Sequence, residues 1–264
     1  MRLDAIADGK LGVSEATFGV DISTMPADRV CAAILGGPLA GSGARAVFTI
    51  NLDHVVKLRG DARFRRAYRN AWLKVIDGFP VFIYARIRGG AVPSRIPGPD
   101  LFEAVIRGLD SGAHRPFFVT STDTVLEKLS TFLVEGGFPP SQVAGVSPPL
   151  GFEDDEEYSR GLANAILQHC ATHLFFGVGS PKSEIWIDQY GEQLGDLYAL
   201  SLGAGLDFFV GESVRAPRWL RRAGGEWVWR LASDPKRLSR RYLLESWGFA
   251  SAVWDDLFAR STEK

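Results

Sequence analysis

The acidic residue in the pair Asp77-Gly78 is the strongest candidate for chemistry in this sequence. Glycine permits a tight turn, so Asp77 is expected at an element boundary, where a side chain can face a cleft. Arg86, Arg88 and Arg95 follow in the same stretch. A carboxylate near guanidinium groups suits a reaction that removes a proton and releases an anionic leaving group. The alternative is that Asp77 only makes a turn, which is the common role of an Asp-Gly pair.

A candidate anion site follows the apolar run His173–Val178. The sequence Gly179-Ser-Pro-Lys-Ser-Glu leads directly into a predicted helix that begins near Ser183. The first turn of a helix after a parallel strand binds phosphate because its backbone N–H groups point at the ligand. Lys182 would add positive charge to this site, and a solvated surface lysine is the alternative.

A further glycine-containing loop follows the apolar run Leu197–Leu202. Gly203 and Gly205 predict a loop that a ligand can approach closely. Asp207 lies in the same loop, where capping and ligand contact are both open, and capping is the commoner role of such a residue.

The elements that would position these residues alternate between strand and helix. Short apolar runs predict strands at Arg45–Asn51, Pro80–Ala85, Arg115–Thr120, Gln142–Val146, His173–Val178 and Leu197–Leu202. Helical spacing predicts helices at Ala27–Leu35, Asp61–Ile76, Asp100–Leu109, Val125–Leu133 and over a stretch carrying Tyr158, Leu162, Ile166 and Cys170. This alternation predicts an α/β fold with a Rossmann-like parallel sheet flanked by helices. Thr49 and Asn51 alternate at the end of the first strand and are therefore expected on the same side.

Composition narrows the class of protein. The chain has 264 residues, 46% of them hydrophobic, and a net charge of −1, which is enough for one large domain or two small ones. Cys31 and Cys170 form no CxxC pair, so neither a zinc site nor a disulfide framework is expected, and a reducing cytoplasm is favoured. No signal peptide or spanning segment is recognisable, so any membrane contact is expected to be peripheral. Gly36–Ala44 lacks the GxGxxG order, which disfavours a dinucleotide-dependent oxidoreductase.

The composition changes at residue 215. Arg215–Trp247 contains nine Lys and Arg residues against three acidic ones, and most of the tryptophans lie beyond residue 215. This change predicts an α/β core over 1–214 and a helical, basic, Trp-rich appendage over 215–264. Arginine and tryptophan on amphipathic helices suit an anionic membrane surface. Nucleic acid uses the same residue types, but no recognition module is present, so it is not expected as a partner. The alternative is a helical cap whose tryptophans are core.

Several segments together resemble the bacterial glycosyltransferase family named after WecG, TagA and CpsF. The resemblance covers about residues 45–245 in the right order, which makes it far more specific than any single segment. The matching residues are Thr49-Ile50-Asn51, Asp77-Gly78, Arg95 with Gly98 and Asp100-Leu101, Gly179 to Lys182 with Glu184 and Trp186, Asp207-Phe208 with Gly211, Arg215-Ala216-Pro217, Glu226-Trp227, Arg230 and Asp234 to Arg237.

The resemblance implies an inverting, metal-independent enzyme without a cofactor, which moves a sugar from a UDP-sugar to a polyprenyl-diphosphate-linked sugar. Its location would be the cytoplasmic face of the membrane, and its product would serve a cell-surface polysaccharide. Asp77 would be the general base, with Thr49, Asn51 and Arg95 in the same pocket. The residues expected to contact substrate or UDP are Gly179, Lys182, Ser183, Glu184, Gly203 and the appendage arginines Arg230, Arg237 and Arg240.

Three departures from the family pattern limit this transfer. Ser183 replaces a usual glutamine, Thr120-Ser121 replaces a usual Gly-Gly, and Gly203-Ala204-Gly205 permutes a usual Gly-Gly-Ala. The donor sugar is therefore left open. A non-catalytic, membrane-peripheral scaffold that binds a nucleotide sugar is the alternative, and the retained Asp77 argues against it. A homo-oligomer also stays open, because the appendage tryptophans could pack against another chain.

Overall fold

A computed structural model describes residues 17–38, 40–89, 91–222, 225–226, 229 and 248–257. The strands of its sheet are β1 (Ala44–Ile50), β2 (Leu73–Ile76), β3 (Pro116–Val119), β4 (Ala144–Val146), β5 (His173–Phe176) and β6 (Leu197–Ser201). They form one six-stranded sheet in the order β2-β1-β6-β5-β3-β4. Every neighbouring pair is parallel, so all the strands end at the same edge.

Helices lie in every connection between consecutive strands of the sheet, and others precede β1 or follow β6. They are α1 (Ala27–Leu35), α2 (Leu52–Gly60), α3 (Ala62–Asn70), α4 (Phe79–Ile87), α5 (Gly98–Gly108), α6 (Asp123–Glu135), α7 (Glu156–Gln168), α8 (Lys182–Tyr190), α9 (Gly205–Phe209) and α10 (Arg218–Arg222). Residues 248–257 are also helical and are called segment 248–257 below. The predicted appendage is therefore helical in these two described parts, while the boundary between 1–214 and 215–264 stays a prediction.

Helices cover both faces of the sheet. Helices α2, α3, α7 and α8 supply one buried cluster, whose members include Phe64 and Trp186. Helices α1, α5 and α6 supply the cluster on the other face, which includes Phe102 and Leu129. Every residue of β2, β3, β5 and β6 is buried, as a parallel sheet covered on both faces requires. The predicted Rossmann-like α/β fold is confirmed.

The segment around Asp77 was predicted with its element types reversed. The expected helix over Asp61–Ile76 ends at Asn70, and residues 73–76 are strand β2, paired with β1. The expected strand at Pro80–Ala85 is part of helix α4, which begins at Phe79. Short, continuously apolar runs carry no period that separates strand from helix, and proline fits the first turn of a helix. Asp77 therefore follows a parallel strand and precedes a helix.

Smaller corrections concern helix ends and one missed helix. Cys170 lies beyond the end of α7, with a left-handed φ of 53°, so it does not belong to that helix. The loop after β6 contains the short helix α9. Helix α2 was not predicted, although Asn51 immediately before it is a typical N-cap residue. The remaining predicted strands and helices are confirmed, with ends shifted by a few residues.

His173, the first residue of β5, links stability to pH. Its ring is fully buried, and Nε2 lies 3.0 Å from the carbonyl oxygen of Ile34. Burial lowers the pKa of His173 from 6.5 to about 4. Since the unfolded chain binds this proton below pH 6.5 and the folded protein only below about pH 4, the free energy of unfolding should fall by about 3 kcal/mol across that interval.

Denaturant unfolding of the parent and of His173→Gln at pH 4 and pH 7 tests this expectation. The variant is expected to be less stable at pH 7, because the glutamine side chain fills the buried space of the ring less well, and to show a smaller loss on acidification. An equal loss in the two proteins would remove His173 from the acid response.

Candidate active site

The candidate residues gather at the carboxyl edge of the sheet. Asn51 follows β1, Asp77 follows β2, Gly179 lies in the loop after β5, and Gly203 lies in the loop after β6. Open parallel α/β sheets bind their ligands at this edge. The fold thus brings together residues that are up to about 150 positions apart in the sequence.

Asp77 is held by contacts from three directions. Its backbone N–H donates to the carbonyl oxygen of Ile50 at 2.9 Å. The side-chain amide of Asn51 donates to Oδ2 at 3.4 Å, and the backbone N–H of Gly98, at the start of α5, donates to Oδ1 at 3.3 Å. Each carboxylate oxygen makes one long hydrogen bond, and such an oxygen can accept two. Asp77 is only partly buried, so it can also accept a hydrogen bond from a substrate hydroxyl.

Asn51 has both ends of its side chain in use. Its Oδ1 accepts from the backbone N–H of His54 at 3.2 Å and so caps α2, while Nδ2 faces Asp77. The cap fixes which end of the amide points at the carboxylate. Asn51 is therefore a donor with a defined orientation, and the two strand ends that carry Asn51 and Asp77 act as one unit.

The absence of a side chain at residue 78 lets these strand ends approach each other. A Cβ atom at Gly78 would lie 2.9 Å from Cα and 3.0 Å from Cβ of Asn51. Real Cβ atoms essentially never come that close, so any other residue would push Asp77 away from Asn51. Glycine is needed here because of this close approach and not because of its backbone conformation, since a φ of −77° is open to any residue.

Gly78→Ala is expected to lower the free energy of unfolding by about 1–3 kcal/mol, the usual cost of forcing a methyl group into a packed site. Turnover should fall as well, because Asp77 loses its position relative to Asn51. Gly60→Ala is the matched control, because a Cβ there meets nothing within 4 Å and an exposed helical alanine is favourable. Thermal and denaturant unfolding of the parent, Gly78→Ala and Gly60→Ala measures the expected difference in stability. Equal stability of Gly78→Ala and the parent would contradict the close contact.

Thr49 lies behind this unit, in a buried polar cluster. Its carbonyl oxygen accepts from the hydroxyl of Tyr68 at 2.6 Å and lies 2.7 Å from Nδ1 of His54. Burial first, then the charges of Glu184, Asp77 and Asp53, raise the pKa of Tyr68 well above its ordinary value, so the phenol stays a neutral donor. The cluster fixes the end of β1 beneath the candidate base.

Arg95 is bound to the backbone on both sides of the site. One guanidinium nitrogen donates to the carbonyl oxygen of Asp77 at 3.2 Å, and the other donates to the carbonyl oxygen of Arg221 at 2.9 Å. The guanidinium carbon also lies 5.5 Å from the centre of the Phe79 ring. Arg95 therefore connects α10 to the backbone of Asp77, which sequence reasoning alone did not predict.

Asp100, in the first turn of α5, makes a second connection to α10 and its flank. Its Oδ1 accepts from Arg215 at 2.6 Å and from Arg221 at 3.3 Å. Arg215 also lies 3.7 Å from Glu226. Helix α5, whose first residue contacts Asp77, is thus linked by charge to the start of the predicted appendage.

The loop after β5 lies beside α2. Lys57 donates to the carbonyl oxygen of Ser180 at 3.0 Å and pairs with Asp53 at 2.6 Å. Gly179 has a left-handed φ of 89°, and a side chain at this position would meet nothing within 4 Å. The loop that precedes α8 is therefore anchored next to the helix that Asn51 caps.

The residues at the start of α8 differ in their access to a ligand. Ser183 is fully buried, and its hydroxyl donates to the carbonyl oxygen of Gly179 at 2.9 Å. Glu184 is 1% exposed and accepts from Ser201 at 2.9 Å. Lys182 is partly exposed, with Nζ at 3.9 Å from Glu153. A ligand at this loop would meet its backbone and Lys182 before the side chains of Ser183 and Glu184.

The loop after β6 packs against the start of α5. A Cβ at Gly205 would lie 3.4 Å from the backbone of Pro99, which places Gly203 and its neighbours close to Gly98. Asp207 lies in the first turn of α9, whose N-cap is Ala204, and its carboxylate accepts from the hydroxyl of Ser121. Burial raises the pKa of Asp207. Ser121, at one of the departures from the family pattern, therefore has a partner of its own.

Three predicted site residues, Arg230, Arg237 and Arg240, lie outside the described residues. Within the described ranges, no group of three or more His, Cys, Asp or Glu side chains is placed to hold a metal ion. Of the helices in the same ranges, none has the length and apolar character needed to cross a membrane.

Fold and site together define a Rossmann-like α/β protein that carries a carboxylate at the carboxyl edge of its parallel sheet. The sequence profile described as "Glycosyl transferase WecG/TagA/CpsF family" matches residues 16–263. The chain belongs to this family of glycosyltransferases, and the resemblance drawn from the motifs is confirmed.

Curated relatives share one name, N-acetylglucosaminyldiphosphoundecaprenol N-acetyl-beta-D-mannosaminyltransferase. The relative from Bacillus spizizenii strain W23 is 28% identical over 194 residues, which are 74% of this chain and 73% of the relative. The relative from Bacillus subtilis strain 168 is 27% identical over 164 residues, 62% of each chain. The relative from Staphylococcus aureus strain MW2 is 27% identical over 146 residues, 55% of each chain. The match thus spans less than two thirds of the last two relatives.

Proposed function

We propose that this protein transfers an N-acetylhexosaminyl group from a UDP-sugar to a polyprenyl-diphosphate-linked N-acetylglucosamine. The name that these relatives share supports the acceptor and the type of sugar. The observation that carries the proposal is the partly exposed carboxylate of Asp77, held by Asn51 and Gly98 at the edge where α/β sheets bind ligands.

Asp77 is the general base in this proposal. An acceptor hydroxyl donates its proton to the carboxylate while its oxygen forms the new bond to the anomeric carbon of the donor. The bond between that carbon and the UDP oxygen breaks, and its electron pair leaves with UDP. Because the acceptor attacks opposite the leaving group in a single displacement, the anomeric configuration inverts.

The negative charge that develops on UDP requires a cationic or N–H-rich environment. Lys182 and the backbone at the start of α8 are proposed for this role, together with Arg230, Arg237 and Arg240. Guanidinium groups bind phosphate oxygens in pairs of hydrogen bonds and can neutralise a diphosphate without a metal. Neither a metal nor a cofactor is part of the proposal.

The lipid-linked acceptor places the reaction at a membrane. We propose a peripheral association with the inner face of the cytoplasmic membrane through residues 215–264, whose basic and Trp-rich composition suits anionic lipid. The ionic contacts of Asp100 with Arg215 and Arg221 would then connect the membrane-facing part to α5 and to Asp77.

A release assay tests the proposal. Purified protein is mixed with anionic liposomes, a polyprenyl-diphosphate-linked N-acetylglucosamine and a panel of UDP-sugars that includes UDP-N-acetylmannosamine, with and without a chelator. Acceptor-dependent release of UDP with one donor, unchanged by the chelator, is the expected result. Release that requires an added divalent cation would contradict the metal-independent step.

The buried position of Ser183 favours a second candidate function, that of a non-catalytic scaffold that binds a nucleotide sugar. The side chain that replaces the family's usual glutamine is turned inward to Gly179, so a ligand loses one expected contact. Measurable binding of UDP without release of UDP from any donor would favour the scaffold over the enzyme.

A further inference from the structure

An apolar groove runs along the outer face of α4. Its volume is about 410 Å³, within the range of ordinary ligand sites. Helix α4 supplies one wall, with Phe79, Ile83 and Ile87 among its lining residues, and segment 248–257 supplies the other wall through Phe249 and Val253. Nine helical residues give α4 a length of about 13 Å, so a groove along it can hold several carbon–carbon bonds of an extended ligand.

Two contacts hold the walls of the groove against each other. Tyr84 of α4 donates to Asp256 at 2.7 Å, and Ala252 of the same segment is buried in the core, which fixes the two helices against each other. Ile83 is nevertheless 40% exposed and Ile87 is 77% exposed. Neighbouring exposed branched aliphatic residues at helical spacing form a patch of the kind that marks a binding surface.

One end of the groove adjoins the candidate active site. Phe79 follows Asp77-Gly78 directly, and the guanidinium group of Arg95 lies 5.5 Å from the centre of its ring. A ligand along this path would meet a carboxylate first, then positive charge beside an aromatic ring, and then the mostly apolar lining of the groove. This order matches a molecule with a sugar hydroxyl, a diphosphate and a hydrocarbon chain, in that sequence.

We propose that the groove binds the first isoprene units of the polyprenyl chain of the acceptor. The inference rests on the proposed function, because the acceptor sugar must lie at Asp77 for its chain to enter at Phe79. Buried hydrocarbon adds favourable free energy for each methylene group, so the groove contributes to acceptor affinity as well as to its orientation. The bulk of the chain continues past Ile87 towards the lipid.

Binding without turnover provides the first test. Isothermal titration calorimetry compares farnesyl diphosphate, which has three isoprene units, with methyl diphosphate, which has none. The parent is expected to bind the farnesyl compound at least about tenfold more tightly, and Ile83→Gln/Ile87→Gln is expected to reduce this preference about tenfold. Both side chains are exposed, so the double variant should fold.

Leu167→Gln is the matched control. Leu167 is 47% exposed but lies at the end of α7, near the amino edge of the sheet, so its replacement should leave the preference for the farnesyl compound unchanged. Absence of a preference in the parent, or an equal preference in the parent and the double variant, would overturn the proposal.

Turnover provides the second test and separates the two proposals. N-acetylglucosamine diphosphate esters with a farnesyl or a methyl group are offered as acceptors in the absence of vesicles. The ratio of their kcat/KM values should fall about tenfold in the double variant. No transfer with either acceptor would count against the proposed function, and the calorimetric comparison would then be the only test of whether the groove binds the isoprene units. A double variant that keeps the farnesyl preference but no longer sediments with anionic liposomes would assign the groove to the bilayer and overturn the proposal.

Discussion

Asp77→Asn is expected to lower kcat by about 10²–10⁴, the usual range for loss of a general base. The amide has nearly the same shape as the carboxylate and can keep one hydrogen bond to Asn51 or to Gly98. It cannot take up a proton from an acceptor hydroxyl. Affinity for UDP should change little, because Asp77 is assigned to the acceptor and not to the nucleotide. Acceptor-dependent UDP release measures turnover, and calorimetric titration with UDP measures binding.

Asp53→Asn serves as the control for a general change of charge. Asp53 also lies near the carboxyl edge, in the first turn of α2, where its carboxylate pairs with Lys57 at 2.6 Å, whereas the carboxylate of Asp77 accepts from Asn51 and Gly98. Less than a tenfold loss of turnover is expected for Asp53→Asn. Turnover of Asp77→Asn equal to that of the parent would exclude Asp77 as the base, whereas equal losses in both variants would point to electrostatics and not to proton transfer.

Arg95→Ala is expected to lower kcat by about 10². The replacement removes the hydrogen bonds to the carbonyl oxygens of Asp77 and Arg221, so the backbone of the base is no longer held against α10. A shift of about 1 Å at a reacting group can cost a factor of this size. Arg95 is a positioning residue, because its observed contacts are to backbone and not to a reacting atom. The KM for the UDP-sugar should change less than kcat.

Arg86→Ala is the matched control for Arg95→Ala. Arg86 also donates from its guanidinium group to a loop carbonyl, that of Val92 at 3.1 Å, and also lies over an aromatic ring, that of Phe82. Its loss should cost some stability and little turnover. If both variants lose turnover equally, the effect of Arg95 is a general weakening of the loop that contains Val92 and Arg95. If only the KM for the UDP-sugar rises in Arg95→Ala, the arginine binds the donor directly.

The type of an element, strand or helix, was predicted correctly where the spacing of its apolar residues or the breaks at its ends were clear. Helix α5 and the strands β5 and β6 have either an amphipathic pattern or an apolar run with strong breaks on both sides, so their types followed from the sequence. The stretch from residue 71 to residue 87 has neither. Its four-residue strand and its mostly apolar helix were exchanged, because only pairing with β1 distinguishes them. The pairing of β2 with β1, which is a tertiary contact, determines which of the two segments is the strand.

The candidate site was predictable by residue type but not by contact. Asn51 and Asp77 were both singled out, and their hydrogen bond requires parallel neighbouring strands that the reversed assignment around Asp77 could not supply. The contribution of Gly98 is a backbone N–H, which leaves no signature in a sequence. The connection through Arg95 to the carbonyl of Arg221 joins residues 126 positions apart and was equally invisible.

The contacts of segment 248–257 bear on how the protein is made. Asp256 accepts from the backbone N–H of Phe18 at 3.1 Å across 238 residues of sequence, and it also binds Tyr84. Proteins emerge N-terminus first during synthesis, so the outer face of α4 stays uncovered until residues 248–257 have also emerged. Such a delay favours aggregation of nascent chains, and it means that a truncation at residue 214 removes a structural partner of α4 together with the predicted membrane contact. A shortened protein that fails to bind liposomes would therefore need a folding assay before its loss could be attributed to the membrane.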